Sequence, residues 1–92
     1  MIQWVVCYDM ADDARRNRLV QVLLDYGQRV QESVFWVEAE DDLADRIRER
    51  LGRVIDTEED SLWIVPLCAG CAKRVETLGK KARPVLPEYY IF

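Results

Sequence analysis

Ile2-Gln3-Trp4-Val5-Val6-Cys7-Tyr8-Asp9-Met10-Ala11-Asp12-Asp13-Ala14-Arg15-Arg16-Asn17-Arg18-Leu19 is the stretch that decides how this chain folds. Residues 2–8 carry the β-branched and aromatic side chains of a strand. Asp12 or Asp13 then caps a helix predicted to run to Tyr26, with Leu19, Val22, Leu23 and Tyr26 at i, i+3, i+4 and i+7 on one stripe. Gly27 follows as the residue that closes the helix. Strand ends and helix starts are where folds of this kind hold metals and phosphates, because backbone donors and fixed side chains converge there. Asp9 ends the apolar strand, and Arg15, Arg16 and Arg18 crowd the first turns of the helix. A carboxylate that suits a hard cation beside guanidiniums that suit phosphate oxygens is chemistry for a phosphodiester.

Residues 28–39 have strand character again, with a break near Glu32-Ser33. A second helix is predicted over about 41–55, with Leu43, Ile47, Leu51, Val54 and Ile55 on one stripe and Asp42–Arg46 and Glu49–Arg53 as i,i+4 pairs on its wet side. Residues 61–67 form a further strand, and Arg74–Leu78 is a candidate for another. Pro84 and Pro87 punctuate a tail ending Tyr89-Tyr90-Ile91-Phe92. This order predicts a single α+β domain over 1–92, a split β-α-β-β-α-β arrangement with an additional C-terminal strand and both helices on one sheet face. Residues 34–37 and 62–67 are apolar on both faces, whereas a half-solvated sheet alternates. Two helices cover one face only. A second copy of the chain, with the 79–92 tail packing on the partner, is expected to cover the other, since a bare face would exceed the few hundred Å² that monomers tolerate. A homodimer would also duplicate Asp9 across its two-fold axis. One carboxylate is a poor magnesium site, and two facing ones with water make a better one.

The net charge of −4 argues against diffuse coating of nucleic acid by a uniformly basic protein. The cations are unevenly typed: ten of thirteen are Arg, the residue whose planar fork matches phosphate. There is no histidine. That removes the commonest general base, the Ser-His and Cys-His nucleophile pairs and most zinc sites. Hydrolysis by this chain must rest on carboxylates, a metal-bound water, Tyr or Ser. Cys7 lies in the first strand as a small hydrophobe. Cys68-Ala69-Gly70-Cys71 has C-x-x-C spacing: a redox pair, half of a zinc site that a second chain would complete, or two thiols in a turn. No apolar run approaches the roughly 20 residues that span a bilayer, and Met1-Ile2-Gln3-Trp4 has no basic n-region. The expectation is a cytoplasmic protein without membrane association.

Tyr8-Asp9-Met10-Ala11-Asp12-Asp13-Ala14-Arg15-Arg16-Asn17-Arg18-Leu19, then Tyr26-Gly27-Gln28-Arg29-Val30-Gln31-Glu32-Ser33-Val34-Phe35, and Asp60-Ser61-Leu62-Trp63-Ile64-Val65-Pro66-Leu67-Cys68 with Cys71 and the aromatic C-terminus, resemble the small CRISPR-associated family "Cas-two". The likeness covers essentially the whole chain. It implies a ferredoxin-like homodimer acting in spacer acquisition, part of antiviral defence, with the larger integrase subunit "Cas-one". It also implies a magnesium-dependent endonuclease acting on RNA or double-stranded DNA. By position, Asp9 matches the family's metal-binding acid and Tyr8 the residue before it, the pair expected to be catalytic. Arg16, Arg18 and Arg29 match basic positions at the nucleic-acid surface, and Ser33 and Phe35 match the Ser-Val-Phe signature beside them. Trp36 departs from the pattern, where Glu is frequent.

Each residue also has a plainer reading. Asp9 can be a turn residue, although Asp12 and Asp13 leave it redundant as a cap. The arginines oppose the helix dipole, so helix stability does not explain them; Arg16 can pair with Asp12 or Asp13 or contact phosphate. Phe35 can stack on a base or pack in the core, and Ser33 can orient a water or break the strand. Two function classes follow: a metal-dependent nuclease, with a toxin-type ribonuclease as a near variant, and a non-catalytic dimeric DNA-binding scaffold. A small-ligand regulatory domain lacks a Gly-rich loop to support it.

Overall fold

Strand β1 (Ile2–Asp9) lies inside a four-stranded sheet, its backbone paired on both edges while alternate side chains are buried on one face. It is followed by helix α1 (Asp13–Leu24), strands β2 (Gly27–Gln31) and β3 (Val34–Ala39), a 3-10 turn (Asp41–Leu43) running into helix α2 (Ala44–Val54), strand β4 (Ser61–Pro66) and a short helix α3 (Ala69–Lys73). The structure is a computed structural model that describes residues 1–76 and Leu78. The sheet order is β2-β3-β1-β4 with every neighbouring pair antiparallel, the ferredoxin-like arrangement. The expected packing of the 79–92 tail on a partner lies outside the described residues.

Trp4, Val6 and Tyr8 of β1 and Phe35, Val37 and Ala39 of β3 share one sheet face and bury it against Leu19, Val22 and Leu23 of α1 and Ile47 and Leu51 of α2. Leu19, Leu23, Ile47 and Leu51 are fully buried, each worth about 1.5–3 kcal/mol of transfer free energy. Both helical stripes thus meet the sheet as their spacing predicts. Their ends differ from expectation. Helix α1 stops at Leu24, with Asp25 as C-cap, and Tyr26 packs on the core from beyond it. Gly27 does not close the helix: it opens β2, where a Cβ would lie 2.2 Å from the Trp36 carbonyl oxygen. Close backbone approach, not a left-handed turn, fixes glycine there. Helix α2 starts later than expected because residues 41–43 wind as 3-10 helix. That tighter winding takes Asp42 off the register of Arg46, and the ion pairs formed are Asp45–Arg48 and Glu49–Arg53.

The opposite sheet face is covered in part by the chain itself. Trp36, at 3 % exposure, packs with Ala72 of α3 and with Val5, Val30, Leu67 and Val75. The residue that departs from the family pattern is therefore the seat of α3. Arg74, expected to open a further strand, is the C-cap of that helix, and Val75, Glu76 and Leu78 are not in a strand. Beyond α3, Trp63 and Val65 on this face are 68 % and 41 % exposed and are not covered by the described residues. No helix among the described residues is long and apolar enough to cross a membrane.

Candidate functional site

Strand alternation turns Tyr8 inward to the core and leaves Asp9 exposed at the end of β1. The chain then reaches Asp12, whose carboxylate accepts the Arg15 backbone N–H at 2.9 Å and caps α1. That hydrogen bond holds the Asp12 carboxyl below the usual carboxylate range. Between the end of β1, the first turns of α1 and the β2–β3 turn lies an open cleft of about 430 Å³, lined by Tyr8, Asp9, Arg16, Asn17, Arg29 and Ser33 among others.

Tyr8 holds the far wall of this cleft in place. Its hydroxyl donates to the Glu32 carbonyl at 3.0 Å, and its backbone N–H donates to the Ser33 carbonyl at 3.1 Å. Those bonds tie the β2–β3 turn to the end of β1, so Ser33 lines the same cleft as Asp9. With its hydroxyl committed to a backbone carbonyl and its ring buried, Tyr8 is a positioning residue in this geometry. Arg16 donates through Nη1 to the Met10 carbonyl at 3.1 Å and through Nη2 to the Asp13 carboxylate. The exposed Asp13 pairing is of the kind worth about 0–1 kcal/mol, so an incoming phosphate can compete for that guanidinium. Arg29 stands with its guanidinium carbon 5.3 Å from the Phe35 ring centroid.

Two expected site residues fall outside the cleft. Phe35 is completely buried in the core and offers no face to a base, so packing is its role and base stacking is not. Arg18 is exposed but does not line the cleft, because two residues along a helix from Arg16 is a rotation of about 200°. Arg15 serves the fold: Nε and Nη2 reach the two Asp60 carboxylate oxygens at 2.9 and 3.1 Å. Sequence reasoning missed this tie and also missed Asn17. The helical period could have found Asn17, since Arg16, Asn17 and Val20 share the face of α1 that lines the cleft. Nothing local in the sequence marks Asp60 as the partner of a residue 45 positions away.

Among the described residues no three acidic or cysteine side chains cluster to hold a metal ion. Asp9 and Glu32 are both exposed acids lining this cleft, and the Ser33 hydroxyl is a further hard oxygen donor on it. The neighbours of Asp9 on the strand matter. Asp9 pairs with Ser61 and Cys7 with Trp63, so the acid lies two residues from the exposed tryptophan on the same face of the sheet.

Residues 1–75 match the family model described as CRISPR associated protein Cas2. A Rhodospirillum rubrum protein named CRISPR-associated endoribonuclease Cas2 4 is 38 % identical over 91 residues, covering 99 % of this chain and 73 % of that protein. The crystal structure of Streptococcus pyogenes Cas2 at pH 6.5 superposes with a TM-score of 0.70 at 39 % identity, over 84 % of this chain and 99 % of that one. A chain of a partial Cas6-RT-Cas1–Cas2 complex superposes with a TM-score of 0.72 at 25 % identity, over 94 % of this chain and 100 % of its own. A sheet ordered β2-β3-β1-β4, an acid at the end of its central strand and a family match over residues 1–75 lead to one conclusion: this chain belongs to the CRISPR-associated Cas2 family.

Proposed function

We propose that this chain is a metal-dependent endonuclease of CRISPR adaptation, acting in the cytoplasm as a homodimer beside an integrase subunit. The single observation that carries the nuclease reading is Asp9, an exposed carboxylate on a cleft whose other walls carry Arg16, Arg29 and Ser33. The relatives named endoribonuclease and the Cas1–Cas2 complex support the same assignment. The oxygen donors on the cleft, from Asp9, Glu32 and Ser33, suit Mg²⁺, a hard cation, but among the described residues they fall short of a cluster of three acids. Two copies joined through Trp63 and Val65, beside Asp9, would bring a second Asp9 carboxylate to the first. Bound there, Mg²⁺ would polarise a phosphoryl oxygen and lower the pKa of a coordinated water.

The protein groups have separable tasks. Asp9 holds charge at the end of a strand locked into the sheet on both sides. Arg16, and Arg29 on the β2 wall, draw flanking phosphates to the acid and fix the backbone across it. Ser33 contributes a hydroxyl that can accept a hydrogen bond from a water or donate one to the ribose side of the strand. These contacts grip phosphate and sugar, so they favour RNA or duplex DNA by shape rather than base sequence. A second reading, a scaffold that holds DNA for the integrase without cutting it, is favoured by the same complex.

Labelled RNA and labelled duplex DNA, incubated with purified wild-type and Asp9→Asn protein in Mg²⁺ and in EDTA, separate the two. Metal-dependent cleavage by wild type that falls at least about 10²-fold in Asp9→Asn, with the variant still folded and dimeric, establishes the nuclease. Equal cleavage by both proteins rejects Asp9 as the metal-holding acid. Tight binding without cleavage by either leaves the scaffold.

A further inference from the structure

The C-x-x-C pair takes no part in the cleft, and its placement is specific. Cys68 is the N-cap of α3, and its sulfur accepts the Cys71 backbone N–H at 3.2 Å. Oxygen side chains ordinarily fill that role, so a sulfur there with a second sulfur at the third helical position brings two thiols over one turn. Both cysteines are exposed and neither is in a disulfide. The next residue, Ala72, is 2 % exposed and seats the helix on Trp36. The pair therefore stands in solvent at the start of the element that covers part of the outer sheet face.

We propose that Cys68 and Cys71 form a reversible dithiol–disulfide couple, oxidised by a low-molecular-weight disulfide, mounted on the helix that covers Trp36. Cys68 is the attacking thiol. Its thiolate displaces one thiolate from the small disulfide and forms a mixed disulfide. The Cys71 sulfur, as thiolate, then attacks the Cys68 sulfur and expels the second small thiolate. Two protein thiols are oxidised by two electrons, one small disulfide is reduced to two thiols, and the two protons released go to those leaving groups. The asymmetry of the pair supports the order of events. Hydrogen bonds from the Cys71 thiol and backbone push the Cys68 thiol down in pKa, and donating to Cys68 pushes the Cys71 thiol up. Closure would fasten the first turn of α3 at its cap, a covalent bond replacing a sulfur-accepted hydrogen bond.

The test equilibrates the full-length chain, without oxygen, in glutathione mixtures of increasing oxidised fraction, then quenches in acid, denatures, alkylates and weighs the intact protein. The expected result is a single transition in which the thiols of Cys68 and Cys71 disappear together while Cys7 remains alkylated. Cys71→Ser should trap one glutathione on Cys68. Cys68→Ser, which keeps an oxygen cap and so keeps the helix, should form its adduct at least about tenfold more slowly. Independent glutathione adducts on both cysteines of the wild type, or equal rates in the two variants, would overturn the couple. A reduced protein that carries one tightly held zinc per two chains, with all four thiols protected from alkylation, would overturn it in favour of metal ligation.

Discussion

Asp60 has its carboxylate out of solvent and closed on three donors: Arg15 Nε, Arg15 Nη2 and the Asp56 backbone N–H at 2.8 Å. The Arg15 hydrogen bonds hold its carboxyl below the usual carboxylate range. A folded pKa beneath the unfolded one gives stability that is fully present above about pH 4 and fades as pH falls through the folded value. The thermal midpoint of wild type should therefore exceed that of Asp60→Asn at pH 7, and the gap should narrow as pH drops below about 4 in matched melting series. A gap that widens in acid would contradict the assignment. Arg15, Arg16 and Arg18 look alike in the sequence, yet one ties the helix to β4, one lines the cleft and one faces solvent elsewhere. Only the tertiary fold separates them, because the partner of Arg15 is far away in the chain. Asp9 stood out in the sequence because an acid closing an apolar strand has no packing reason to be there, and the fold leaves it exposed on the cleft. The burial of Phe35 was not legible, since an aromatic in a strand apolar on both faces reads equally as platform or core.

At the level of elements, Gly27 leaves no room for a side chain between β2 and β3. An alanine there would put its Cβ 2.2 Å from the Trp36 carbonyl oxygen and 2.8 Å from the Val37 Cα, both backbone atoms with little room to move. Gly27→Ala should cost about 1–3 kcal/mol in denaturant unfolding, the usual scale of overpacking. Because Trp36 also carries α3, the same variant should loosen the outer-face cover, read as faster amide exchange at Ala72. Both long helices were legible from their stripes, and the four strands from their composition, β2 and β3 as one stretch broken near Glu32-Ser33. Helix α3 was not: five residues leave no period to detect, and Cys-Ala-Gly-Cys looks like a turn until its sulfur is seen capping one. The Asp42–Arg46 pairing failed for a related reason, as the 3-10 winding of 41–43 is invisible in a pattern of apolar spacing.

Across the molecule, the two sheet faces divide the labour. One is sealed by α1 and α2, and the other carries α3 and the exposed Trp63 and Val65. Both faces were legible as apolar, but that part of the second is covered from within the chain was not. An exposed tryptophan on a flat strand is the kind of anchor worth about 2 kcal/mol or more at an interface. Trp63→Glu should weaken self-association by at least about tenfold, seen as a halved mass by light scattering at concentrations where wild type is paired, with the far-ultraviolet spectrum unchanged.

Asp9 and Trp63 lie one on each of two adjacent strands, in registers two residues apart. If self-association through the tryptophan is what doubles the carboxylate, cation affinity and pairing of chains are two measurements of one equilibrium. Whatever fills the shared site must tighten the pair by the same factor as pairing tightens the site. Cleavage per molecule should then fall on dilution at fixed Mg²⁺, and extra Mg²⁺ should restore it. Counting turnover over a hundredfold range of protein concentration measures that linkage directly. The enzyme would thus be one whose competence is set by how many copies the cell holds, with the cation acting as the adhesive.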